Sequence, residues 1–238
     1  MSKRFMHTVV VVSIMLIGSY AYAQQSKDGP ISPQTVALNL QMAEQGSVQG
    51  QFTMGYFYER GYGVVADLAV ARSWYQKAAL QGDAKAQFNL GVMHAMGKGG
   101  PVDNAEALKW QTMSAEQGYA PAQNNVATMY DEGKAVTRNL KTAFGWYKKA
   151  AEGGNVSAQV NLASMLRTGR GCERDFVASA AWYTKAAEAG NQGAQERLSY
   201  LFSIGQGVAK DQAQSDKWKT MAMTSPNAQV NVADKAGE

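Results

Sequence analysis

The sequence predicts an all-α fold, a solenoid of five helix–turn–helix repeats of 36 residues each. The first observation is a nine-residue string, WYQKAALQG, whose near-copies keep their tryptophan at a constant step of 36 residues without an insertion. The second is that glutamine, glycine and aspartate or asparagine positions keep the same step. A fixed period of this length indicates a stack of identical supersecondary units. The positions are Trp74, Trp110, Trp146, Trp182 and Trp218; Gln51, Gln87, Gln123, Gln159 and Gln195; Gly61, Gly97, Gly133, Gly169 and Gly205; and Asp67, Asp103, Asn139, Asp175 and Asp211.

The third observation is that one period has room for two helices and no strand. In residues 83–118, small and apolar residues spaced by three and four over 86–94 predict a first helix, and glycines follow it. Asp103 stands where a second helix needs an N-cap, and Glu106 three residues later predicts a capping box. Trp110 belongs to the predicted buried stripe of this second helix.

One position on the first helix stays small in every repeat. A small side chain allows a neighbouring helix to approach closely, and we expect the repeated tryptophans to fill the matching gap between repeats and to bury most of their surface. The small residues are Gly55, Gly91, Ala127, Ala163 and Ser199.

The spacing AQxxLGxxYxxGxGVxxDxxxAxxWYxKAAExG resembles the Sel1-like repeat, a relative of the tetratricopeptide repeat. The resemblance covers residues 47–226, although the third copy has Ala135 in place of its second glycine and the fifth lacks the AAExG turn. It implies a right-handed α/α superhelix that binds other proteins and has no shared catalytic residues. The predicted repeats are 47–82, 83–118, 119–154, 155–190 and 191–226.

Both ends of the array predict helical caps. Residues 34–46 align with the second helix of a repeat and are expected to cap the N-terminal end. Residues 227–238 contain AQVNVA, which echoes AQVNLA of the fourth repeat, and are expected to form a degenerate capping helix and a tail.

The first 23 residues have the pattern of a secretory signal peptide. Lys3 and Arg4 precede an apolar run over residues 9–17, and Ala21-Tyr22-Ala23 gives small residues before the predicted cut. The apolar run is shorter than the roughly 20 residues that span a bilayer, so we expect no stable membrane insertion after signal removal. A polar leader, 24–33, follows. This pattern predicts a periplasmic protein, with full secretion as the alternative.

Composition restricts the function. The net charge of +4 falls to +2 without Lys3 and Arg4, which is too weak to indicate nucleic-acid binding. Cys172 is the only cysteine, so no intrachain disulfide can form. His94 is the only histidine after residue 23, and no catalytic motif is present. We therefore expect no enzyme activity, no metal site and no cofactor.

The candidate binding residues lie on the predicted first helices, which line the concave side of an α/α solenoid. Three columns with one member per repeat vary in chemistry while the packing positions repeat. The first column is Phe52, Phe88, Asn124, Val160 and Glu196; the second is Tyr56, Val92, Thr128, Ser164 and Tyr200; the third is Glu59, Ala95, Asp131, Arg167 and Ser203.

Two features of this surface predict partner contacts. Phe52, Tyr56 and Phe88 form an exposed aromatic anchor, or else pack against the N-terminal capping helix. Asn89, Asn125 and Asn161 form a ladder that could bind the backbone of an extended peptide, or else reflect a common choice at a half-exposed position. These six residues and Arg167 of the third column are the candidate partner-binding site.

The sequence therefore predicts an exported, monomeric protein–protein interaction module. The partner is a protein or peptide, and the module is a scaffold or regulator of an envelope complex or a secreted host-directed factor. The alternative is a cell-wall-associated hydrolase or a peptidoglycan-binding protein, because some relatives have been linked to envelope glycans. The cysteine pairs of the disulfide-rich relatives are absent from this chain.

Overall fold

A computed structural model describes residues 31–224, and this part of the chain contains eleven α-helices and no strand. The all-α class predicted from the repeat is confirmed. The signal peptide, the leader up to residue 30 and the cap predicted at 227–238 lie outside the described residues. The helices are α1 Pro33–Glu44, α2 Val48–Arg60, α3 Leu68–Leu80, α4 Ala84–Met96, α5 Asn104–Glu116, α6 Ala120–Glu132, α7 Leu140–Glu152, α8 Val156–Thr168, α9 Phe176–Glu188, α10 Gln192–Ile204 and α11 Gln212–Thr224.

The described part of the chain divides into two compact units, and the boundary between them falls within α5, between Trp110 and Gln111. In the first unit α1 packs on α2, α2 on α3 and α3 on α4. In the second unit α6 packs on α7, and the helices continue in chain order to α11. Because each helix pairs with its neighbour in sequence, each unit is an array of helix pairs, with the first helix of each repeat even-numbered and the second odd-numbered.

The helix ends follow from the repeated polar and glycine positions. Asp67, Asn139 and Asp175 cap the second helices α3, α7 and α9 through side-chain oxygens that accept from backbone N–H groups of the first turn. Each first helix from α2 to α10 ends at a glycine with φ between 66° and 73°, a left-handed conformation that favours glycine.

The capping box predicted at α5 forms only in part. The Asp103 carboxylate accepts from the backbone N–H of Glu106 at 3.0 Å, as an N-cap should. The Glu106 carboxylate instead accepts from the Trp110 indole N–H at 2.9 Å and pairs with Lys109. The Asp103 N–H, which a capping box would use, donates to the carbonyl of His94.

In the first, third and fourth repeats tyrosine, not tryptophan, packs at the small position of the first helix, and the prediction that tryptophan does so is wrong for these repeats. A Cβ atom at Gly55 would lie 2.7 Å from the ring of Tyr75, which is completely buried. Tyr147 and Tyr183 lie in the core clusters that contain Ala127 and Ala163, the equivalent small residues.

The burial of the tryptophans differs between repeats, and two of the five belong to the core. Trp110 and Trp218 are buried, whereas Trp74, Trp146 and Trp182 are partly exposed. The ammonium group of a lysine three residues later lies over each of these partly exposed indole rings, at 3.9 to 4.5 Å from the ring centre. These tryptophans therefore have one packed face and one face covered by a cation.

Candidate partner-binding surface on the first helices

Buried glutamines hold each first helix against the second helix that precedes it. The side-chain amide of each donates to the backbone carbonyl of an alanine eight residues earlier, at 3.1 to 3.4 Å. Each of these alanine carbonyls also accepts from the backbone N–H of a glycine three residues later, so the glutamine supplies a second hydrogen bond at the end of the previous helix. The repeat period identified these glutamines, but only the structure gives their role. They are Gln51, Gln87, Gln123, Gln159 and Gln195.

The aromatic anchor predicted at the N-terminal end is smaller than expected. Phe52 is only 8% exposed, and its ring centre lies 5.7 Å from that of Tyr75 in the core. The prediction that Phe52 is exposed is therefore wrong. Tyr56 and Phe88 are half-buried, and Tyr56 makes an edge contact with the ring of Tyr62 at 5.6 Å. The accessible aromatic surface here comes from Tyr56, Tyr62 and Phe88.

A charged network lies at the third column in the first unit. The Tyr75 hydroxyl donates to the Glu59 carboxylate at 2.9 Å, and the Lys98 ammonium lies 3.5 Å from the other carboxylate oxygen. Asn89 of the ladder also hydrogen-bonds Tyr75. Burial and the neighbouring Glu59 carboxylate raise the pKa of Tyr75 above its ordinary range. The Glu59 carboxylate thus already has two partners within this chain, the Tyr75 hydroxyl and the Lys98 ammonium.

The ladder continues in the second unit with different partners. The Asn161 side-chain amide donates to the Asn124 side chain at 3.5 Å, which links α8 to α6. Asn125 is half-buried and makes no hydrogen bond through its side chain within residues 31–224. Asn161 of the predicted ladder therefore makes a contact between first helices, whereas Asn125 remains available for a ligand.

A second charged network occupies the third column of the third repeat. The Asp131 carboxylate pairs with the Arg170 guanidinium and lies 3.9 Å from that of Arg138. Tyr147 packs nearby, and its hydroxyl hydrogen-bonds the Thr128 hydroxyl at 3.0 Å. Burial, aided by the charge of Asp131, raises the pKa of Tyr147.

Arg167 occupies the same column in the fourth repeat, and its surroundings differ. The side chain is half-buried, and its Nε atom is buried without a hydrogen-bond partner. It forms no ion pair with the residues that the structure describes. Among the predicted site residues, Arg167 is thus the one that carries an unmatched charge.

The two residues considered for chemistry have packing roles. The Arg72 guanidinium lies 2.8 Å from the Nδ1 atom of His94, and burial followed by the charge of Arg72 lowers the pKa of His94. Cys172 is half-buried, and burial raises the pKa of its thiol. Within residues 31–224, no group of three His, Cys, Asp or Glu side chains is placed to hold a metal ion.

A cavity of about 570 Å³ lies between α10 and α11, and none of the seven predicted partner-binding residues lines it. Glu196, Tyr200 and Ser203, the last members of the three columns, line it from α10. Asp216 and Met223 line it from α11. In the last repeat, the residues of the three columns therefore line a pocket.

These features define a helical repeat protein in which packing positions recur and surface positions vary. The Sel1 repeat family model matches the chain at five places, and the chain belongs to this family. The matches begin one residue later than the repeats inferred from the sequence, except the fifth, which is shorter. They cover residues 48–83, 84–119, 120–155, 156–191 and 193–218.

Two solved structures are similar in both sequence and fold. One is a protective antigen present in uropathogenic Escherichia coli strains, with 39% identity and a TM-score of 0.82 over 88% of this chain. This chain spans only 44% of that protein. The other is a Sel1 repeat protein from Oxalobacter formigenes, with 30% identity and a TM-score of 0.80, covering 90% of this chain and 83% of that one.

More distant structures share the fold alone. An immunity protein from Pseudomonas aeruginosa is 18% identical, with a TM-score of 0.57 over 86% of this chain and 80% of that chain. No protein among the curated ones compared matches this chain. No helix in residues 31–224 is long and apolar enough to cross a membrane.

Proposed function

We propose that the chain is an exported protein-interaction module that holds a partner segment against the accessible side of its first helices, as a scaffold or regulator of an envelope complex. Sel1 repeat proteins are generally protein-interaction modules, and this chain has the same repeat throughout residues 48–218. The export part of the proposal comes from the signal-like pattern of residues 1–23.

The proposal rests on a contrast between the buried positions of the repeat and the positions on its accessible surface. Buried positions recur in kind, as the glutamine and alanine columns do. The second column, which is half-exposed apart from the exposed Tyr200, changes from Tyr56 and Val92 in the first unit to Thr128, Ser164 and Tyr200 in the second. Packing requires the buried positions to recur but places no such demand on a half-exposed column, so a varied column is what a surface shaped for one partner would have.

A photo-crosslinking experiment tests the binding surface in the first unit. p-Benzoylphenylalanine is placed at Val92, which is half-exposed on α4, and in a matched protein at Gln76, which is exposed on the second helix α3. Both proteins are expressed in full length and irradiated in intact cells. We expect a discrete crosslinked partner from Val92 and none from Gln76. Adducts from Gln76 alone would place the binding surface on the second helices.

Side-chain truncation then measures how much this surface contributes to the affinity for the partner. Tyr56→Ala combined with Phe88→Ala should weaken binding of the crosslinked partner by about 2 kcal/mol or more, as loss of an aromatic anchor does. Asn125→Ala should cost about 0.5–1.5 kcal/mol, the net value of a neutral hydrogen bond. Unchanged affinity in both variants, with normal unfolding curves, would contradict the proposed surface.

The export step has its own test. Cleavage after Ala23 would leave Gln24 as the mature N-terminus, and the intact mass of protein recovered from the periplasm or the medium measures this directly. A mass that retains Met1 would contradict export without bearing on the binding surface.

A further inference from the structure

In two of the repeats, a tyrosine of the second helix lies near a carboxylate of the third column. In the first repeat, the Tyr75 hydroxyl donates to the Glu59 carboxylate, 16 residues earlier in the chain, at 2.9 Å. In the third repeat, Tyr147 lies in the field of Asp131, which has the same separation, and its hydroxyl is bonded to Thr128. Each carboxylate is balanced by a cation 39 residues further on, Lys98 or Arg170.

The fourth repeat keeps the tyrosine and replaces the carboxylate. Tyr183 has the packing of the other two tyrosines and is 4% exposed, but the residue 16 positions earlier is Arg167. Ser164 stands where the third repeat has Thr128, and it makes no bond to the tyrosine hydroxyl. Within residues 31–224 this hydroxyl has no hydrogen-bond partner, and it reaches the surface, since it is not among the fully buried unpaired atoms.

The Arg167 side chain also lacks a partner among the described residues, because its repeat has no carboxylate in the third column. Its Nε atom is buried without a partner, and the nearest carboxylate of the column, Asp131, already pairs with Arg170. The other two guanidinium nitrogens of Arg167 also make no hydrogen bond within residues 31–224, and they are not fully buried, so a ligand can supply their acceptor. Two donors, one of them cationic, thus occupy the two positions that hold a carboxylate and a tyrosine in the first and third repeats.

We propose that Arg167 and Tyr183 form a binding site for a carboxylate supplied by the partner segment. This inference rests on the proposed function and names the chemistry of the partner. A carboxylate accepts from the guanidinium and from the phenol together, and such charge-assisted bonds are the strong ones in proteins. The carboxylate belongs to an Asp or Glu side chain or to the C-terminus of the partner segment.

The probe is a synthetic library of 12-residue peptides, prepared once with free carboxyl termini and once with carboxamide termini. Binders to the full chain are selected by affinity and identified by mass spectrometry. We expect binders that share an acidic residue, or binders from the free-carboxyl library alone. Calorimetry on the tightest binder then compares it with its neutralised form, Asp→Asn, Glu→Gln or carboxamide.

Neutralising the peptide should weaken binding to the wild-type protein by at least about tenfold, the range of a lost charge-assisted hydrogen bond. The same neutralisation should weaken binding of the peptide to the Arg167→Gln variant by less than about twofold. Tyr183→Phe should reduce the preference for the charged peptide, whereas Tyr147→Phe, whose hydroxyl is already bonded to Thr128, should not. Lys148→Gln, an exposed charge on α7, is the control for general electrostatics.

The outcomes separate this inference from the proposed function. Binders whose affinity is indifferent to the carboxylate, or an equal preference for it in Arg167→Gln, would overturn the carboxylate site and leave the interaction module intact. The absence of binders in both libraries would contradict the carboxylate site and the peptide-binding surface alike. Unfolding curves for each variant confirm that a changed affinity does not come from a changed fold.

Discussion

The ring of Tyr75 lies so close to Gly55 that a Cβ atom at residue 55 would be 2.7 Å from ring atom Cδ1. Both residues are buried, and the Tyr75 side chain has no exposed surface. The contact explains why the first helix keeps a small residue at this position: the glycine lets an aromatic ring from the second helix lie directly on the backbone.

The first prediction concerns this contact. Gly55→Ala should lower the free energy of unfolding by about 1–3 kcal/mol, the usual cost of overpacking a filled core. The matched control is Gly145→Ala on α7, where the added Cβ meets nothing within 4 Å. Alanine there should raise stability by up to about 1 kcal/mol, because it is the better helix former. Urea unfolding followed by circular dichroism measures both, and a gain in both would show that the Tyr75 ring can move aside.

The second prediction separates the two aromatic residues of the WY pair. Tyr147 is 3% exposed in the core cluster of the third repeat, whereas Trp146 is partly exposed beside it. Tyr147→Ala should cost about 3–5 kcal/mol, and Trp146→Ala should cost less despite the larger side chain, because part of the indole is already in water. Denaturant melts of the two variants provide the comparison. A larger loss in Trp146→Ala would restore the tryptophan as the main packing residue.

How much of the molecule the sequence predicts depends on which interactions repeat. The 36-residue step predicted the helix pairs and the capping residues such as Asp67, because these need only local sequence. It could not separate Trp146 from Tyr147, since adjacent residues on a helix differ by about 100° in direction and both are aromatic. It also missed that Phe52 turns into the core and that Arg167 has no acceptor. Both facts depend on how neighbouring helices rotate against each other.

The third prediction is a pH dependence that arises from His94. The ring accepts from the Arg72 guanidinium, and its pKa is lowered by burial and then by that cation, against weaker opposing effects of Asp103 and Glu106. The unfolded chain has a normal histidine pKa of about 6.5 and binds the proton first as the pH falls. Stability should therefore be complete above about pH 6.5 and should fall as the pH drops from there towards the folded pKa.

The test compares wild-type protein with His94→Gln by urea unfolding at pH 7.5 and pH 5.5. The glutamine cannot titrate, so the variant's loss of unfolding free energy between the two pH values comes from the rest of the chain. The wild-type protein should lose more unfolding free energy than the variant. An equal loss would show that His94 has the same pKa folded and unfolded, and that the bond to Arg72 does not hold the ring neutral.

The last prediction concerns the one repeat that departs from the glycine pattern. Ala135 is the only non-glycine residue with positive φ in residues 31–224, at 64°, and it replaces the second turn glycine of its repeat. The left-handed conformation costs a non-glycine residue roughly 1–2 kcal/mol, whereas glycine costs the folded state less but gives the unfolded chain more freedom. Ala135→Gly should therefore raise the free energy of unfolding by up to about 1 kcal/mol.

The reciprocal change in the next repeat should be far more harmful. Gly171 has φ of 72°, and a Cβ there would lie against the carbonyl oxygen of Leu140, so Gly171→Ala adds a clash with backbone to the conformational strain. It should cost more than about 2 kcal/mol, since neither backbone can move without disturbing the start of α7. Urea melts of the two single variants measure the pair. A loss of stability in Ala135→Gly would show that the alanine methyl group packs well enough at this turn to outweigh its strain.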